Sequence, residues 1–124
     1  PKFATAYNNR GNLFRSIGAK ERALKDYNKA IELDAKYAMA YFKRGNLFRI
    51  TGDKERALKD YNKAIELDSK FALAYLNRGV IFLNSDKRRA LSNFQAFLRL
   101  APRHPGASKV SALIDRIKKQ LKGS

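Results

Sequence analysis

Fifteen residues, KERALKDYNKAIELD, occur twice without a change, at 20–34 and again at 54–68, a step of 34 residues. A chain that copies itself at this period is built from stacked units, because each unit is too small to hide its own apolar surface and must lean on the next. Tyr7, Tyr41 and Tyr75, Gly11, Gly45 and Gly79, and Phe14, Phe48 and Phe82 keep the same step, so the repeat runs three times. The third copy carries RALSNFQAFLRLAP at 89–102 and is one residue short near Asn84 and Ser85.

Within each unit apolar residues recur at three-and-four spacing, first from Ala4 to Ile17 and then from Lys20 to Leu33, with Gly18 between them. That pattern predicts two amphipathic helices joined by a short turn, hence antiparallel. The hairpin recurs as 38–51 with 54–67 and as 72–83 with 87–100. Asp53 and Asp86 stand where a second helix starts and can cap it, whereas Ala19 at the matching place cannot. Gly11, Gly45 and Gly79 fall inside first helices, where glycine costs roughly 1 kcal/mol against alanine. A close approach by the second helix, expected at Ala23, Ala57 and Ala90, would compensate.

The spacing Tyr7, Gly11, Phe14, Ala23, Tyr27, Ala30 and its copies resembles the tetratricopeptide repeat, a helix-turn-helix unit of the same period. The resemblance divides the chain into repeats at 4–37, 38–71 and 72–104, followed by 105–122, all expected as one domain. It implies an all-α fold, a right-handed superhelix with a concave groove lined by the first helices, where the family takes up peptides or partner segments. Two departures stand out. The proline that usually closes each repeat is Ala35 and Ser69 here and appears only at Pro102, and Phe97 replaces the Ala30 and Ala64 of the earlier copies. After Pro105, placed to start a helix, Val110, Leu113, Ile114, Ile117 and Leu121 form an apolar face backed by Lys109, Arg116, Lys118, Lys119 and Lys122. This is the pattern of a capping helix for the last repeat; a basic amphipathic helix can also lie on a membrane surface or fill a partner's groove.

The first two repeats differ at eight positions, and the second helices do not differ at all. Thr5 against Met39, Asn8 against Phe42, Asn9 against Lys43 and Ser16 against Ile50 share one face of the first helix. Four of the eight differences on one stripe point to a surface that is read by something, with free drift as the bland alternative. The stripe predicts a groove of Thr5, Asn8, Asn9, Asn12 and Arg15, then Met39, Phe42, Lys43, Asn46 and Arg49, then Leu73, Leu76, Asn77, Val80 and Leu83. Asparagines that donate and accept suit a peptide backbone, Arg15, Lys43 and Arg49 suit carboxylates, and the apolar members suit an anchor or a covering by the last helix. Family members that clamp a terminal carboxylate use a Lys and Asn, an Asn, and a Lys and Arg in successive repeats. Asn12 fits, but Asn8, Lys43, Leu73 and Asn77 depart from that set. Arg10 and Arg44 recur opposite Asp26 and Asp60 and predict ion pairs inside each hairpin, with Arg78 meeting Asn93 instead.

The net charge of +16 favours acidic peptides, nucleic acid or anionic membrane as partners. From Lys87 onward ten Lys or Arg face a single acid, Asp115. There is no Cys and a lone His104, which excludes a disulfide and a Cys nucleophile, argues against zinc and leaves the compartment undecided. No nucleophile pattern or phosphate loop suggests an enzyme or a cofactor, and no apolar run is long enough to span a membrane. A start at Pro1 without Met is compatible with an excised piece. The sequence therefore points to a scaffold for a protein or peptide, an acidic one by charge. A nucleic-acid-binding repeat, with Phe42 as the ring for base stacking, and self-assembly through the edge near Pro1 or the apolar end are the other two readings.

Overall fold

The computed structural model describes residues 2–123; Pro1 and Ser124, the chain ends, lie outside them. Seven α-helices and no strand occur among the described residues: α1 Lys2–Ser16, α2 Lys20–Leu33, α3 Ala38–Ile50, α4 Lys54–Leu67, α5 Ala72–Phe82, α6 Lys87–Leu100 and α7 Ala107–Lys122. The first six form three antiparallel hairpins, α1 with α2, α3 with α4 and α5 with α6. The fold is all-α, of the helix-turn-helix repeat kind. The chain divides into two compact units, one ending at Ser69 and the other beginning at Lys70.

In the first unit the turn after α1 is closed by Gly18, whose φ of +82° lies in the left-handed region. Ala19 N donates to Phe14 O at 2.8 Å and Gly18 N to Arg15 O at 3.1 Å, which satisfies the last carbonyls of the helix. Gly52, at +89°, does the same after α3 with Asp53 N on Phe48 O. Where proline is expected at the end of the first repeat, the Asp34 carboxylate instead accepts from Lys36 N at 3.0 Å and tightens the turn.

The glycines inside the first helices pack against rings and not, as expected, against alanines. A Cβ on Gly11 would lie 2.7 Å from Tyr27, and one on Gly45 would lie 2.9 Å from Tyr61. The aromatic ring fills the space where a side chain would stand, and this contact offsets the glycine's cost in a helix. Between the two hairpins, Leu47 of α3 is buried with Ala23 and Tyr27 of α2. Arg44 Nη1 also reaches Asn28 Oδ1 of α2 at 3.0 Å.

In the second unit the missing residue removes the turn glycine. Asp86 N closes directly on Phe82 O at 2.8 Å, and α5 ends early. Gly79 meets Phe94 in the same ring-on-glycine manner. Phe97 is fully buried with Val110, Ile114 and Ile117, so the bulky residue of the last repeat marks the seat of α7. Because that apolar face is covered by α6, α7 caps the hairpin and has no oily side left for a membrane. Pro105 does not open the helix: His104 Nδ1 accepts from Gly106 N at 2.9 Å, its ring sits edge-on to Phe97, and α7 begins after Gly106.

Asp53 and Asp86 accept from Arg56 N and Arg89 N at 3.1 and 3.2 Å, while Ala19 offers α2 no side-chain cap. The backbone at Ala19 (φ −83°, ψ 69°) is close to that at Asp53 (φ −92°, ψ 79°), so an aspartate fits there without adjustment. Ala19→Asp is expected to stabilise the fold by about 1 kcal/mol in urea unfolding, with an unchanged denaturant slope.

Candidate functional site

The inner face of the first unit is built from α1 and α3, which lie side by side. Their polar residues are held from below by the second helices. Arg10 Nε and Nη2 each donate to the Asp26 carboxylate at 2.8 Å, and Arg44 repeats both bonds to Asp60. Both aspartates are nearly buried, and the bidentate bond raises the pKa of each arginine. These forks fix the roll of the first helix on the second. In the second unit Arg78 Nε donates to Asn93 Oδ1 at 2.7 Å, and burial without a carboxylate lowers the Arg78 pKa.

A second network, one the stripe pattern did not reveal, lies closer to the surface. Tyr61 OH donates to Asn46 Oδ1 at 2.6 Å and accepts from Arg49 Nε at 3.2 Å. In the first repeat Tyr27 OH donates to Asn12 Oδ1 at 2.7 Å, with Arg15 beside it. Burial pushes the Tyr27 phenol up, and the Arg15 charge opposes that shift. The carbonyl oxygens of Asn12 and Asn46 are therefore directed inward to the phenols. The third repeat exchanges the whole set: Asn becomes Val80, Arg becomes Leu83 and Tyr becomes Phe94. That joint exchange was the available signal, since a phenol loses its hydroxyl where its partners lose their polarity.

Two members of the expected stripe are corrected. Asn8 is 2% exposed and Phe42 is 4% exposed, so neither is presented at the surface. Phe42 packs tilted on Tyr61, with ring centroids 6.0 Å apart. The step that carries these two positions turns slightly too far toward the second helix. Thr5, Asn9 and Met39 are exposed, and Asn12, Arg15, Lys43, Asn46 and Arg49 are half-buried. In the second unit Leu73 and Val80 are exposed and Asn77 is half-buried, while Leu76 and Leu83 pack against the core that α7 completes. Asn8 Oδ1 and Arg15 Nε are buried with no hydrogen-bond partner.

Electrostatically the face is one-sided. Neither α1 nor α3 contains an Asp or Glu. Among the described residues no carboxylate pairs with Arg15, Lys43 or Arg49. Burial, and then the nearby charge of Arg15, lowers the Lys43 pKa. No cluster of three metal-binding side chains and no helix able to cross a membrane occurs among the described residues.

A family model described as TPR repeat matches residues 11–49 and 45–86. The chain belongs to the tetratricopeptide-repeat family. Such repeats are protein-interaction scaffolds and are generally not enzymes. Among solved structures, this tetratricopeptide chain is similar to the first TPR of Spaghetti (RPAP3) bound to the HSP90 peptide SRMEEVD, with a TM-score of 0.86 at 20% identity over 98% of this chain and 94% of that one. It is also similar to the Arabidopsis OM64 TPR domain, with a TM-score of 0.85 at 25% identity over 96% and 97% of the two chains. The type III secretion translocator chaperone SycD of Yersinia enterocolitica superposes with a TM-score of 0.86 at 17% identity over 95% and 85%. None of the curated proteins matches the chain.

Tyr61→Phe is expected to cost about 1 kcal/mol in thermal or urea unfolding, because it strips a partner from Asn46 and Arg49 at once. Adding Asn46→Val and Arg49→Leu to that change, which copies the third repeat, is expected to recover most of the loss, as double-mutant coupling would register.

Proposed function

We propose that this protein is an interaction scaffold whose first unit binds an acidic peptide or partner segment in extended form along the α1 and α3 face. The observation that supports it best is Lys43: a cation half-buried next to Arg15, its charged form penalised by both, with no carboxylate in attendance. A group held in that state is stabilised by an incoming anion more than a solvated lysine would be. The inward commitment of the Asn12 and Asn46 oxygens adds amide donors beside the cations. The orphaned Asn8 Oδ1 and Arg15 Nε are buried polar atoms that a ligand can satisfy. Thr5, Asn9 and Met39 form the outer margin, and Arg49 extends the positive edge. In the second unit, Leu73, Asn77 and Val80 offer a more apolar surface suited to an anchor residue.

The solved relative carrying the peptide SRMEEVD shows an acidic guest on this fold. The lysines and arginine of the terminal-carboxylate clamp are replaced here at Asn8, Leu73 and Asn77. Acidic side chains along the segment are therefore the preferred chemistry over a chaperone tail. The nucleic-acid reading loses its stacking ring, because Phe42 lies under the surface. No catalytic constellation emerges from this face, and the proposal involves neither enzyme activity nor a cofactor.

The test is fluorescence anisotropy with a labelled heptapeptide of alternating Asp, Glu and small apolar residues against its Asn and Gln counterpart. The acidic peptide is expected to bind more tightly, with affinity falling as salt rises. Lys43→Met is expected to weaken it about three- to tenfold while raising the melting temperature, because the variant removes a charge that folding alone does not reward. The sign follows from the lowered pKa: folding disfavours the protonated lysine, so its charge opposes stability in full at pH 7, and the penalty declines as pH rises past the lowered pKa and vanishes at the ordinary lysine value. Equal binding of the two peptides, or a Lys43→Met variant with full affinity and no added stability, would overturn the reading.

A further inference from the structure

The second helix of the third hairpin begins with a charge that does not suit a helix. In α2 and α4 the first turn carries an acid, Glu21 and Glu55, which meets the positive end of the helix dipole. In α6 the matching position is Arg88, and the turn holds Lys87, Arg88 and Arg89 with no acid. Arg89 Nε lies 3.3 Å from the Asp86 carboxylate, and Lys87 Nζ donates to Leu83 O at 3.4 Å. Arg88 is exposed and joins no ion pair among the described residues. A change from acid to base at this place weakens the helix, so folding does not account for it.

The last turns of α7 bring three more cations to the same place. Arg88, Lys118, Lys119, Leu121 and Lys122 line one depression of about 410 Å³, within the size range of small-ligand sites. The three lysines are exposed, and no carboxylate pairs with any of them among the described residues. Asp115, the one acid of α7, stands three and four residues before Lys118 and Lys119 and pairs with neither. Leu121 rests on the core that holds Phe97 and Ile117, so the wall carrying the lysines is anchored. Residues 70–124 contain twelve of the 27 Lys and Arg but only two of the eleven acids, Asp86 and Asp115, so no surplus of carboxylate nearby offsets the cluster.

Four like charges around one depression repel one another and are relieved by an anion of matching density. Peptide carboxylates are spread along a chain, whereas linked phosphates crowd several charges into a much shorter length. The Arg88 guanidinium fork matches phosphate oxygens, and the lysines act as point charges. A membrane is a poor match, since the apolar face of α7 is spent on α6. A nucleic-acid strand is a poor match too, because no aromatic side chain lines the depression for a base to stack on.

We propose that Arg88, Lys118, Lys119 and Lys122 form a binding site for a compact polyphosphate, a short chain of linked phosphate groups such as a free polyphosphate or a nucleoside triphosphate carries. The site lies wholly in the second unit and uses no residue of the α1 and α3 face.

The experiment is calorimetric titration of the full chain, free of divalent cations, with tripolyphosphate, ATP and inorganic phosphate. Tripolyphosphate is expected to bind about tenfold more tightly than inorganic phosphate or better, with affinity falling as salt rises. ATP of equal affinity identifies the phosphate chain as the whole ligand, and tighter ATP identifies the nucleotide as its source; either supports the site. Arg88→Glu, which restores the residue of the earlier repeats, is expected to weaken binding about tenfold or more while raising the melting temperature. A residue with a merely structural role would move the two together. Lys119→Gln and Lys122→Gln are each expected to weaken binding about threefold, and Lys109→Gln, which alters a cation of α7 outside the depression, to leave it unchanged. Lys43→Met is expected to leave tripolyphosphate binding unchanged and Arg88→Glu to leave the acidic-peptide titration unchanged, so the two readings fail separately. Tripolyphosphate bound no better than inorganic phosphate, an Arg88→Glu variant with full affinity, or binding lost in Lys43→Met would overturn the proposal. An oligouridylate that binds more tightly than tripolyphosphate, and more so with each added length, would overturn it by making a nucleic-acid strand the ligand.

Discussion

The contact on which this molecule rests is a flat aromatic ring laid on a glycine. Tyr27 on Gly11, Tyr61 on Gly45 and Phe94 on Gly79 bring the two helices of each hairpin closer than any side chain at the glycine would allow. The ring then projects past the first helix, so its far edge emerges near the face that first helices present. Whether that edge bears a hydroxyl decides what the face can be. With tyrosine, the neighbouring Asn finds a partner, as Arg49 does in the second repeat, and the surface is polar; with phenylalanine, Val80 and Leu83 replace them and the surface is apolar. Packing depth and surface chemistry are thus set by the same residue.

The placement of charge follows a similar division. Apart from Asp115 of α7, the acidic residues fall on the second helices and in the turns, and the charged residues of the first helices are all cations. Asp26 and Asp60 neutralise Arg10 and Arg44 inside the hairpin, at the cost of desolvating each carboxylate. A methylene-for-charge replacement there could stabilise the fold equally well, but it would lose the forked geometry that fixes helix roll. Arg15, Lys43 and Arg49 sit outside this neutralised layer. Among the described residues no carboxylate pairs with them.

The architecture was legible because the period is in the letters. The spans of α2, α4 and α6, the two aspartate caps, the arginine-aspartate geometry and the seat of the last helix against Phe97 follow from spacing and side-chain type. The site was legible only as a stripe. Helical register places Asn8 and Phe42 within about one step of the exposed face, and a difference of that size between buried and exposed depends on where the neighbouring helix sits. The role of Asn12 and Asn46 was hidden for another reason. Asparagine at an exposed angle reads as a free amide unless the phenol beneath it, fifteen residues on, is known to be within reach.

The sides of α1 have separate surroundings. The face at positions 3, 6, 10, 13 and 17 and the stripe at 5, 9, 12 and 16 use different sides of α1, while the side bearing Gly11 is consumed by the ring. Within the first unit α2 meets both α1 and α3, so a change on its buried faces disturbs two interfaces together. The sequences of α2 and α4 are identical. A first helix has one side that meets no second helix, and there Thr5 can become Met39 and Asn9 can become Lys43 with the packing intact. Change between the first two repeats is therefore found on the first helices and in the turns, while the second helices stay constant.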